Sequence, residues 1–131
     1  MGQPNPQTAP TQQRGAAFDH GLVTGGLELP NYTITRNFGL VRGIVVRSRG
    51  LVGSIGAGLQ QIVGGNISLY TEMCERARGE AYEIMIQHAA AIGANGIIAV
   101  RYDATEISQG VTEVLCYGTA VYVTPRQTTM Q

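Results

Sequence analysis

The sequence predicts an α+β domain in which one long helix covers one face of an antiparallel sheet. Three observations carry this. A β-rich run occupies Asn31 to Ser48, a helical stripe follows from about Ser68 to Ile92, and two further β-rich runs close the chain. Of the 131 residues, the first 26 and the last seven lie outside this pattern. Residues 1–26 are rich in Gln, Pro, Gly and Ala, and such a segment buries too little apolar surface to offset its ordering entropy, so it reads as a disordered tail. Residues 125–131 (PRQTTMQ) read the same way, which leaves one folded domain over residues 27–124.

The first run contains NYTITRN and FGLVRGIVVRS, dense in Tyr, Thr, Ile and Val. Val41, Gly43 and Val45 fall on one face, with Leu40, Ile44 and Val46 on the other. Both faces are apolar, which argues for burial on two sides. In the helical segment Tyr70, Cys74, Ala77, Ala81, Ile84, His88 and Ala91 step by four and three, making one stripe. Glu72, Glu75, Arg76, Glu80, Glu83 and Gln87 take the opposite face, where Arg76 is placed to pair with Glu72 or Glu80. Ser68 suits an N-cap and Gly93 the residue that ends the helix. Asn95-Gly96 then turns the chain into Ile97–Ile107, and Ser108-Gln109-Gly110 joins it to Val111–Thr124 as a hairpin.

Both faces of this hairpin are also largely apolar, and one helix covers only one face of a sheet. The other face is therefore expected to meet a second copy of the chain. Composition agrees. Charged residues make up 14%, against about 25% in an ordinary soluble protein, as expected of a surface partly covered by other subunits.

Between strand and helix lies GLVGSIGAGLQQIVGG, residues 50–65, with six glycines. It is not a phosphate loop, because Leu59 stands where the lysine of GxxxxGK[ST] is required. It is not a dinucleotide fingerprint, because Gln61 replaces the third glycine. A nucleophile elbow fails as well, with Val52 in place of its first glycine. The apolar run is too short to span a bilayer, and arginines flank it on one side only, unlike a surface-bound amphipathic helix. The remaining reading is a short helix whose Gly53, Gly56 and Gly58 allow close packing between helices or subunits.

All nine basic residues are arginine, balanced by nine acidic ones, with no basic cluster. That excludes the electrostatic footprint of a nucleic-acid binder. No basic leader runs into an apolar stretch, and the two cysteines form no CxxC pair, so a reducing cytoplasm is expected.

An ordered set of residues then becomes recognisable: Gly64-Gly65, Tyr70, Ala77-Arg78, Ala81, Met85, Ala89 and Gly93-Ala94-Asn95-Gly96-Ile97-Ile98, closed by Gly118-Thr119-Ala120. Over residues 31–124 it resembles the YbjQ-like family. The resemblance implies a dodecin-like α+β subunit, a ring of five copies, and a family label of heavy-metal binding. Asn66, where relatives often carry charge, and the dense glycines at 53, 56 and 58 are its departures.

A soft or borderline transition-metal ion would draw on Cys74, Cys116 and His88, with Met73 or Met85 as softer donors. Cys74 and His88 share a helix but stand fourteen residues apart, about 21 Å. They cannot hold one ion within a subunit, and no ligand spacing pre-forms a site. The bland reading is a buried cysteine and a hydrogen-bonded histidine. Arg78 and Tyr70 are read as packing or subunit-boundary residues. Asp103 and Glu106, three apart on a strand, point opposite ways and make no catalytic pair. The expected function is a non-enzymatic ring that binds a metal or small ligand between subunits. An enzyme with its site between subunits, needing Arg78, Asp103 and Tyr70 to converge, and a membrane-associated assembly are the alternatives.

Overall fold

A computed structural model describes residues 18–48 and 67–127, so the glycine-rich segment with Gly53, Gly56 and Gly58 lies outside the described residues. A 3-10 turn at His20–Leu22 precedes strand β1 (Tyr32–Ser48), helix α1 (Ile67–Ala91), strand β2 (Gly96–Ser108) and strand β3 (Val111–Pro125). The sheet is antiparallel throughout, in the order β1-β3-β2, with β3 in the centre. This is the α+β class expected, with one long helix on one face.

The two β-rich runs of the first segment fuse into a single strand that bends at two register shifts, between Ile34 and Arg36 and between Asn37 and Gly39. Asn37 stabilises the second by accepting the Gly39 amide at 2.7 Å. The hairpin forms as read, with Ser108 opposite Val111 across Gln109-Gly110.

Helix α1 ends in a Schellman motif. The Ala94 amide donates to Ala89 O at 3.1 Å and the Gly93 amide to Ala90 O at 3.1 Å, with Gly93 at φ 97°. Glycine adopts this left-handed conformation without a Cβ penalty. Asn95 then docks the exit onto the sheet. Its Oδ1 accepts the Val123 amide at 2.7 Å and its Nδ2 donates to Val123 O at 2.9 Å, copying a backbone pair where the strand partner has run out.

The buried row on α1 is Ala77, Ala81, Met85 and Ala89, packed with Val41, Val45, Cys116 and Ala120. This corrects the predicted stripe. Cys74 and Ala91 are exposed, Ile84 is 40% exposed, and His88 is half-buried. A stripe of alternating fours and threes runs straight along a helix, whereas a row of fours is inclined to its axis. The inclined row wins because Gly43 pins one point of the crossing: a Cβ there would lie 1.9 Å from Ala81 O and 2.6 Å from Met85 N. Helix backbone rests directly on strand backbone. Glu80, read as a partner of Arg76 along the helix, instead pairs with Arg47 of β1.

The other sheet face has two halves. Residues 18–31 hook round the β2 edge: Phe18 packs on the helix-side core, while Leu22 and Leu29 bury against Val121 and Val123 on the opposite face. Backbone bonds hold the hook, with Thr24 N to Ile97 O at 2.9 Å, Val100 N to Thr24 O at 3.0 Å and Ala99 N to Gly26 O at 2.8 Å. The boundary expected at Gly26 thus falls inside an ordered cover. Composition missed it because its stability comes from edge amides as much as from its few apolar side chains. The rest of that face stays open. Leu40 is 71%, Val46 48% and Ile44 40% exposed, and the register sets Ile44 beside Leu115 and Arg42 beside Tyr117.

Candidate functional site

Two regions gather the residues of functional interest. The first is an open cleft of about 390 Å³ between α1 and β2, lined by Glu75, Arg78, Gly79, Tyr82 and Tyr102. The helical residues recur at three- and four-residue spacing and so share one face. Tyr102 joins them because it pairs with Cys116, whose side chain points to the helix. The Arg78 guanidinium lies over the Tyr102 ring, 5.8 Å from its centroid, a cation–π contact at an accessible site.

Behind the cleft runs a short relay of soft groups. The buried Cys116 thiol donates to Met85 Sδ at 3.7 Å and accepts from the Tyr102 hydroxyl. Burial pushes the thiol up, against the pull of the Tyr102 hydrogen bond. The Tyr102 phenol is pushed up to about 12 by partial burial first and then by Cys116, with Arg78 acting the other way. Tyr82 is also raised, by burial and then by Glu83 and Cys116. Its hydroxyl meets His20 Nδ1 at 2.8 Å, and the two rings stack with centroids 5.5 Å apart. At neutral pH the cleft lining therefore offers two neutral phenols beside Arg78 and Glu75, with the Cys116 thiol and the Met85 thioether buried behind it.

The expected metal ligands are dispersed. Cys74 is exposed and Cys116 buried. His88, near the far end of α1, accepts the Arg42 amide on Nδ1 at 3.2 Å. Among the described residues, no three His, Cys, Asp or Glu side chains group closely enough to hold an ion. Cys116 has the Met85 sulfur beside it, but no third donor groups with them among the described residues. The described residues do not fit a heavy-metal ion within one protomer. Asp103 pairs with Leu115 on the sheet face away from Arg78, so these two do not converge within the protomer. Tyr70 lies in the first turn of α1.

The second region is the open half of the sheet. Sequence reasoning found it through the two-faced alternation of β1 and β3. It missed the cleft, because Tyr82 and Tyr102 meet Arg78 only after register and helix crossing are set. Among the described residues, no helix is long and apolar enough to cross a membrane.

Comparison with known proteins gives four findings. Residues 22–124 match a family profile described as "Putative heavy-metal-binding". The chain is 62% identical over 106 residues to a UPF0145 protein of Solibacter usitatus, spanning 81% of this chain and 95% of that relative. It is 64% identical over 105 residues to a UPF0145 protein of Paraburkholderia phymatum, spanning 80% and 95%. A solved structure of a protein of unknown function from Pediococcus pentosaceus aligns over 78% of this chain and 96% of that chain, with 16% identity and a TM-score of 0.46.

Proposed function

This chain belongs to the YbjQ-like, UPF0145 family, and from that premise we propose that it is a non-catalytic subunit of a cytoplasmic homo-oligomeric ring of five copies. The open half of the sheet carries the reading. Leu40, Ile44 and Val46, flanked by Leu115 and Tyr117, form an apolar surface on a chain with little charge to keep it in water. Burying such a surface against a second copy is the ordinary way to remove it from solvent. Any metal or small ligand is held where copies meet, since the described residues of one protomer assemble no metal-ligand set. The exposed Cys74 thiol is the soft donor available to such a boundary site.

Native mass spectrometry at micromolar concentration tests this. Five times the 13.9 kDa chain mass is expected, and Ile44→Glu should reduce it to monomer by burying a charge in the contact. A wild-type monomer would overturn the reading. Repeating the measurement with copper(I) or zinc, then chelator, tests the ligand: an adduct lost in Cys74→Ser places the ion at the boundary.

A further inference from the structure

Five-fold symmetry makes every contact heterologous: one patch of a copy meets a different patch of the next. The open half of the sheet is one patch, and it carries charge as well as apolar surface. The register sets Arg42 of β1 beside Tyr117 of β3, and Tyr117 beside Arg101 of β2. All three belong to the face away from α1, so a tyrosine stands mid-row with an arginine on either side. Two inter-strand spacings put the arginine Cα atoms about 10 Å apart. Both arginines are exposed, and neither is in an ion pair, because among the described residues that pair is Arg47 with Glu80. Arg101 Nη1 donates to Gly25 O and to Val100 O, each at 2.9 Å. These neutral acceptors hold the guanidinium and leave its charge whole.

Helix α1 carries a matching pattern. Its buried row steps by four through Ala77, Ala81 and Met85. Glu75, Gly79 and Glu83 take the same step two positions earlier, a rotation of about 200°, so they face away from the sheet. All three are exposed. The two glutamates lie about 12 Å apart along the axis, and neither is in an ion pair. Glu72 and Arg76 share this side, which is therefore acidic on balance. Gly79 sits midway. Glycine is disfavoured inside a helix, yet nothing lies within 4 Å of a Cβ built there, so no described contact within the protomer requires it. Its missing side chain leaves a hollow beside Tyr82 and Ile84, in an open cavity of about 580 Å³.

We propose, on the basis of the assembly reading above, that the outer face of α1 centred on Gly79 receives the open sheet half of the next copy. Tyr117 seats in the hollow at Gly79, and Arg42 and Arg101 meet Glu75 and Glu83. The two rows match in order, charge-small-charge against charge-large-charge, and in span, about 10 Å against about 12 Å, a difference that long arginine stems take up. Charge complementarity selects this occupant. Covering the open face with an uncharged surface would bury two unpaired guanidiniums, which is strongly unfavourable. The row fits in either sense, with Arg42 on Glu75 or on Glu83.

Native mass spectrometry over a dilution series of the full chain tests this. Arg42→Glu, Glu75→Arg and Glu83→Arg should each raise the half-assembly concentration about tenfold or more, because like charges then face one another across the contact. Arg42→Glu combined with Glu75→Arg, or with Glu83→Arg, should restore assembly in one of the two combinations, which also fixes the sense of the row. Gly79→Leu should dissociate the ring by filling the hollow. Its circular dichroism melt, read where the chain is monomeric, should stay at or above that of the wild type, since leucine is a strong helix former and has open space there. A ring that breaks in Ile44→Glu but survives Gly79→Leu and the charge reversals leaves the assembly reading standing and overturns this counter-surface. Failure of both combinations to restore assembly overturns it as well. A wild-type chain that stays monomeric overturns both readings.

Discussion

Gly43→Ala puts the helix–sheet contact to its most direct test. The added Cβ would sit 1.9 Å from Ala81 O, 2.6 Å from Met85 N and 2.9 Å from Ile84 Cβ. Real carbon–oxygen contacts lie near 3.3 Å, so helix and strand must separate by about 1.4 Å. The obstacle is backbone on both sides, and no rotamer change relieves it. Overpacking of this kind costs about 1–3 kcal/mol. The gap opened around Ala77, Ala81 and Met85 forfeits about a quarter to a half of their dispersion contacts. Against this, alanine loses less unfolded-state entropy than glycine, a gain of about 0.4–1 kcal/mol. The net expectation is about 2–4 kcal/mol of destabilisation. For a domain of about 100 residues that lowers Tm by about 10–20 °C. The assay is thermal unfolding followed by far-UV circular dichroism at fixed protein concentration, because assembly would couple Tm to concentration. Gly79→Ala is the internal control. Nothing lies within 4 Å of its added Cβ, so it should stabilise by about 0.5–1 kcal/mol through helix propensity alone. If Gly43→Ala melts at or above the wild-type temperature, α1 does not rest on β1 as described.

Three further outcomes are expected. Asn95→Ala strips the Val123 amide and carbonyl of their partners and should cost about 1–3 kcal/mol in chemical denaturation; a cost below 0.5 kcal/mol would show that water replaces the side chain. A thiol reagent should modify Cys74 rapidly and Cys116 only on unfolding, since the latter is buried and its thiol is raised; two fast thiols would remove the Cys116–Met85 contact from the native state. Tyr102, at about 12, should be the last of the six tyrosines to ionise in an ultraviolet titration, and Tyr102→Phe should delete that late step. The sign follows from linkage: the folded state favours the neutral phenol, so its contribution is intact below about pH 10 and lost as pH climbs towards about 12. A late step that survives Tyr102→Phe would assign it to another tyrosine.

The local elements were legible because their causes are local. The β-branched density of Val41–Val46, the Gly93 that accepts a left-handed backbone and the Ser108-Gln109-Gly110 turn each act over a few residues. The two-faced alternation of β1 and β3 also marks the open apolar surface. What the sequence by itself determined, then, was the α+β class, the hairpin and an apolar surface in excess of what one helix covers. Only the tertiary structure decided which side of α1 faces the sheet, because that depends on a backbone contact at Gly43 rather than on side-chain periodicity. It also decided that residues 18–26 belong to the fold, since Thr24 and Gly26 bond to the β2 edge, over seventy positions away. Arg78, Tyr82 and Tyr102 became one cleft for the same reason. Residues remote in sequence become neighbours through strand register and helix crossing, two quantities no short window contains.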